Sequence, residues 1–155
     1  MQDLILVINK QNHQALVLWA FDLAEETVKK LEATYPNETR PRTALETAKF
    51  WAHGKVKMPI AKREILNCHA FAKEISSLED IALCHAVGQA CSVVHTTGHS
   101  IGFPIYDLTA IVRKYGIDNC REAIEKRKQE YIEKLLYWSE HYKDHTEEWA
   151  NFMLK

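Results

Sequence analysis

QALVLWAFDLAEETVKKLEA, residues 14–33, sets the pattern for the whole chain. Leu16, Trp19, Ala20, Leu23, Ala24, Val28 and Leu31 return at three- and four-residue steps, the spacing that aligns one face of an α-helix. Upstream, Asn9 or Asn12 can cap the first turn. Downstream, Pro36-Asn37 marks its end, because proline pushes the residue before it out of the α region.

The same period continues outward. A second helix is predicted from Pro41, where the missing N–H of a first-turn proline is not needed. Its apolar side is Ala44, Leu45, Ala48, Trp51 and Ala52, and Gly54 stops it. A third starts near Pro59 and carries Ala61, Ile65, Cys68, Ala72 and Ile75. Ser77 and Asp80 form a capping box for a fourth. Its stripe (Ile81, Cys84, Gly88, Cys91, His95 and Gly98) is small-sided, so a neighbouring helix can approach closely. Gly102 and Pro104 bend or break the path. A fifth helix holds Ile105, Leu108, Ile111, Val112 and Tyr115, and ends at Gly116. Asp118 can cap a long sixth one with Ile124, Tyr131, Leu135, Trp138 and Tyr142, and a short last helix holds Trp149, Phe152 and Met153. Only the N-terminal run Leu4-Ile5-Leu6-Val7-Ile8 has strand character, and residues 1–11 read as an extended or frayed arm. The expected fold is an all-α, single-domain bundle of six or seven helices over residues 1–155.

A chain of 155 residues can bury about 70% of the surface its unfolded form exposes, enough for a core without metal or disulfide. The net charge of -1, with histidines neutral, argues against a nucleic-acid partner, which would call for a basic face. No apolar run approaches the ~18 to 20 residues of a membrane span. The N-terminal run lacks the basic lead and cleavage site of a signal peptide. Cys68, Cys84, Cys91 and Cys120 form no CxxC pair and read as reduced thiols, most of them on apolar helix stripes. Together these point to a cytoplasmic protein.

Two constellations carry chemical interest. His95 and His99, four apart, would share a face if both lay on one helix. His69 and His85 sit beside apolar stripes, and Asp22, Glu46 and Asp107 are carboxylates that can complete a site. No HExxH motif is present, since Thr96 stands where the glutamate would be. Nor is there a paired Glu-x-x-His of the di-iron type. The histidines therefore read first as hydrogen-bonded core, crevice or partner-contacting residues, with His69, His95 and His99 the candidates if a metal is held. No cofactor is called for. The other constellation is Arg40-Pro41-Arg42 with Glu46. Two arginines at a helix start are electrostatically misplaced, so an ion-pair network with Asp22 or Glu46, or an anion site, must favour them. Trp149 is either a core residue or an interface anchor. Charges from Arg121 to Glu140 read as a solvated face.

Several stretches resemble one bacterial family. LWAFDLAE (18–25) is similar to the "LWAADCAE" opening of the Imm-5-like immunity proteins. Tyr35-Pro36-Asn37-Glu38-Thr39-Arg40-Pro41-Arg42 with Ala44-Leu45-Glu46 resembles the family's P-x-x-x-R-P-R-x-A-I-E. Trp51-Ala52-His53-Gly54 is similar to its W-x-x-G helix end. Cys68-His69-Ala70 resembles its A-H-A, and the run from Cys84 through His95 and His99 resembles its Ala- and His-rich helix. Leu23 stands where a cysteine is usual, and Gln89 where a histidine is common. The resemblance covers residues 12–112. It implies a non-enzymatic protein that binds and neutralises a cognate toxin, with Asp22, Arg40, Arg42, Glu46, His69, His95 and His99 as motif or partner-binding residues. Two other readings stand beside it: a metal-binding or enzymatic bundle built on the histidines, and a self-associating structural domain, a homodimer using Trp149 and Phe152.

Overall fold

Leu78–Ser92 is the helix at the centre of the molecule. It buries Ala82, Leu83, Cys84, Ala86, Val87, Gly88, Ala90 and Cys91, which take up most of its circumference and leave a half-buried strip at Ile81, His85, Gln89 and Ser92. A helix buried over so wide an arc has to be packed on several sides. In the computed structural model, which describes residues 1–155, it is the fifth of seven α-helices and packs against four others. The helices are α1 (Gln2–Asn9), α2 (His13–Thr34), α3 (Arg40–Ala52), α4 (Met58–Ala72), α5 (Leu78–Ser92), α6 (Gly102–Tyr115) and α7 (Arg121–His141). Short 3-10 turns follow at Thr97–His99, Tyr142–Asp144 and Asn151–Leu154, and there are no strands. The all-α expectation holds.

Helix α5 lies against α6, α4, α2 and α3, while α7 covers α2 and α6 from outside and carries α1. The small side chains on α5 allow the close approach expected of them. A methyl at Gly102, the first residue of α6, would overlap the Gln89 side chain of α5. One core of 36 buried residues runs through the bundle, with Trp19 of α2 fully enclosed. The Trp19 indole N–H donates to the Tyr131 carbonyl of α7 at 3.0 Å.

The helix ends mostly follow the local chemistry. Asn12, not Asn9, caps α2, its side chain accepting from the Ala15 N–H at 2.8 Å. Ser77 caps α5 by accepting from the Asp80 N–H at 3.2 Å. Gly54 and Gly116 take positive φ just beyond α3 and α6, as glycine stops do.

Five expectations are corrected. Residues 2–9 are helical, not extended: Leu4 and Ile8, one turn apart, are buried where α1 meets α7. Packing on α7 overrides the strand propensity of the run. The fourth predicted helix stops at Ser92, so His95 and His99 do not share a helical face. Chain direction changes there through a turn closed by the Thr96 hydroxyl, which accepts from the Gly98 N–H. Cys120, not Asp118, occupies the N-cap of α7, with no side-chain cap bond. Ile75 lies beyond the end of α4. The last element is a 3-10 turn that begins after Trp149.

The C-terminal segment is a strap. The Ala150 N–H donates to the Ala52 carbonyl at 2.8 Å, and the Gln14 amide donates to the Met153 carbonyl at 3.3 Å. His53 stacks with His145 and packs against Trp149, while Phe152 packs against Trp51. Trp149 is half-buried against the core.

Candidate functional site

The arginines at the start of α3 are held by carboxylates from four directions. Arg40 bonds both Glu38 oxygens at 2.8 Å and both Glu74 oxygens at 2.7 and 2.9 Å. Glu38 also accepts the Arg40 backbone N–H at 3.0 Å, so it caps the helix as well. Arg42 bonds Glu25 with two contacts at 2.7 and 2.8 Å, Glu32 at 2.9 and 3.1 Å, and Glu46 at 3.2 Å. The guanidinium contacts hold Glu25, Glu32 and Glu38 below the usual carboxylate range, against the opposing effect of burial. Misplaced charge at a helix start is thus answered by Glu25 and Glu32 of α2, Glu46 of α3, Glu38 just before α3 and Glu74 just after α4. The expected network exists around Glu46, but Asp22 is not in it. Asp22 accepts from the Lys134 ammonium and the Trp138 indole N–H, each at 3.0 Å.

Helix α7 is not simply a solvated face. Arg127, largely buried, donates to Asp107 at 2.7 Å, and the Tyr131 hydroxyl donates to the same carboxylate. Asp107 is 3% exposed. Burial and the Asp107 charge drive the Tyr131 hydroxyl far above its ordinary range. Asp107 therefore ties α6 to α7 and does not reach the histidines.

His69, His95 and His99 do converge. They line one half-open cavity of about 360 Å³ together with Trp51, Met58, Lys62, Ile65, Leu66 and Ser92. Met58, Lys62, Ile65 and His69 are spaced by three or four residues along α4, so one helical face supplies most of the wall. Trp51 closes it from the end of α3, its indole stacked on His95 with centroids 6.3 Å apart. Ser92, at the last turn of α5, donates to the Gly88 carbonyl at 2.9 Å. His95 and His99 come from the turn beyond. His69, His95 and His99 were candidates from their residue type, but the spacing argument for a shared helical face of His95 and His99 fails; Trp51 and Ile65 read as apolar helix positions, and no local signal marks Lys62, Met58 or Leu66.

His69 is fixed from two sides. Its Nδ1 lies 2.7 Å from Nδ1 of His85, whose ring packs on Tyr106. A methyl at position 88 would overlap the His69 ring at Nε2 and Cε1, so a glycine in α5 makes room for it. At this contact one Nδ1 must carry a proton and the other must not, so the pair accommodates one extra proton but not two. Burial, then the neighbouring His85, holds His69 below the ordinary histidine range. Burial, then Arg113 and Lys73, does the same to His85. No group of three His, Cys, Asp or Glu side chains is placed to hold a metal ion.

The remaining sizeable clefts all have carboxylates in their walls. No helix is long and apolar enough to cross a membrane. The four cysteines are buried and unpaired. Burial pushes the Cys84 and Cys91 thiols up to about 12, so they are packing groups rather than nucleophiles.

The charged motif residues bond one another, while Lys62, His95 and His99 of the open cavity make no side-chain bond within the chain. The chain belongs to the family described as Imm-5 like putative immunity protein, whose model matches residues 6–134. That match extends beyond residues 12–112 at both ends and takes in the second half of α1 and most of α7. No curated protein and no solved structure matches the chain.

Proposed function

We propose that this chain binds a cognate bacterial toxin and neutralises it by occupying its surface, with no reaction of its own. Family membership supports the class of activity. The observation that carries the reading to a place on the molecule is the cavity between α3, α4 and the turn after α5. Arg40, Arg42, Glu46 and Asp22 are paired with other groups of the chain. Lys62, His95 and His99, by contrast, make no side-chain hydrogen bond or ion pair within the chain. They surround an aromatic floor at Trp51, and the rim exposes Met58 by 40% and Leu66 by 56%. Apolar anchors inside a polar rim are the anatomy of an interface.

The test begins with a tagged copy and the lysate of its own host, the captured proteins being quantified by mass spectrometry. A one-to-one partner is expected. Expressed alone it arrests growth, and co-expression of this chain relieves the arrest. Leu66→Asp, at an exposed position, keeps the helical circular dichroism and loses the partner. Capture of only further copies of this chain, or an arrest that co-expression does not relieve, overturns the proposal.

A further inference from the structure

We propose that the cavity lined by Trp51, Lys62, His69, His95 and His99 is a binding site for a single carboxylate carried on an apolar body. The inference rests on reading that cavity as the partner face and adds the chemistry of what enters it.

Three side chains of the wall are free to donate a hydrogen bond, the Lys62 ammonium and the imidazoles of His95 and His99, while Ser92 is engaged with the Gly88 carbonyl and His69 with His85. No acid lines it, although the chain has 21 Asp and Glu residues. The other sizeable clefts all carry carboxylates, whereas this wall has none and Lys62 makes no ion pair. Charge-assisted bonds to a carboxylate are the strong ones available to such a set.

The rest of the wall is Trp51, Met58, Ile65 and Leu66. A volume of about 360 Å³ lies at the small end of ligand pockets, which combine apolar walls with a few convergent polar groups. An aromatic ring with one acidic arm suits both surfaces. Two helix ends meet here with opposite effect. The N-terminus of α4, at Met58, has neither a side-chain cap nor an acid in its first turn and favours an anion. The C-terminus of α5, at Ser92, presents its carbonyl end and disfavours one. With Lys62 as the only permanent cation in the wall, a monoanion fits better than a phosphate dianion.

The same chemistry can come from a free organic acid or from a chain ending in an aromatic residue. The test uses 3-phenylpropionate against 3-phenylpropionamide, and a short peptide ending in phenylalanine as free acid against its C-terminal amide. Calorimetry gives affinity, and histidine side-chain NMR locates the site. The acid is expected to bind at least about tenfold more tightly than its amide, shifting the His69, His95 and His99 resonances. Lys62→Met, His95→Gln and His99→Gln remove that preference without loss of helical content, because none of the three bonds another side chain. Tighter binding of the peptide acid identifies a chain terminus as the source; binding of phenylpropionate alone identifies a free acid. Equal affinity for acid and amide, or no binding of either acid up to its solubility limit, overturns the proposal. The two proposals separate cleanly. Toxin capture that survives the Lys62, His95 and His99 substitutions, with both acids failing, sinks the carboxylate site alone. Acid binding without a toxin partner sinks the immunity reading alone.

Discussion

At the scale of single residues, Asp107 and Gly88 do the most with the least surface. Asp107 satisfies Arg127 and Tyr131 together inside the bundle. Removing it strands the Tyr131 hydroxyl and leaves a guanidinium that is 11% exposed with only its longer contacts to Glu130 at 3.3 Å and Glu26 at 3.6 Å. Asp107→Ala is therefore expected to cost about 3 to 5 kcal/mol by chemical denaturation, and Tyr131→Phe, which leaves the ion pair standing, about 0.5 to 3 kcal/mol. Gly88 allows the His69 ring to lie against α5. Gly88→Ala forces that ring off His85 and should cost about 1 to 3 kcal/mol. Because the atoms nearest the added methyl all belong to the imidazole, His69→Ala should absorb most of the penalty. A double-mutant cycle measures that coupling; additive losses would show that the methyl is resisted by something other than His69.

Among the elements, α5 and the C-terminal strap are opposites. The start and packing of helix α5 were legible, because Ser77 caps it and its small-sided stripe of Cys84, Gly88 and Cys91 suits a close neighbour, but its end was not, since the stripe continues in sequence to Gly98 while the helix stops at Ser92. The strap was only half legible. Trp149, Phe152 and Met153 announce burial, but short terminal segments acquire their shape from what they pack on. Here a single main-chain bond from Ala150 to Ala52 and the stacked pair of His53 and His145 fix the path. Met153 is buried to 1% exposure at its end. Met153→Ala should cost about 2 to 5 kcal/mol in global stability. A loss confined to faster hydrogen exchange over residues 142–155 would instead show the strap to open independently of the bundle.

For the molecule as a whole, the titratable groups set a pH profile with a definite sign. His69, His85 and His145 have depressed values in the fold, chiefly from burial. The unfolded chain then binds their protons first, and stability falls as pH drops below about 6.5. Glu25, Glu32 and Glu38 are also depressed, by their arginine partners. Their contribution is present above about pH 4.3 and is lost as pH falls through their folded values. Denaturation midpoints measured from pH 8 to 3 should decline in two stages. His69→Gln with His85→Gln should flatten the upper stage and leave the lower one. The thiols act at the other end: raised values for buried cysteines favour the fold until alkali ionises them in the unfolded chain.

The amino-acid sequence alone determined that this chain is a helical bundle, where most of its helices lie, and which family it resembles, because periodicity, caps and motif strings are local properties. It placed the RPR segment correctly beside Glu46, one turn away on the same helix. Only the tertiary structure decided the rest. It turned residues 2–9 into a helix, because Leu4 and Ile8 find α7 to pack on. It sent Asp22 to Lys134 and Trp138 and not to the arginines, because those partners are more than a hundred residues away. It broke the helix before His95, yet brought His69, His95 and His99 to one cavity. Which charges neutralise one another and which are left facing a cavity depends on contacts between distant elements, and no local spacing records them.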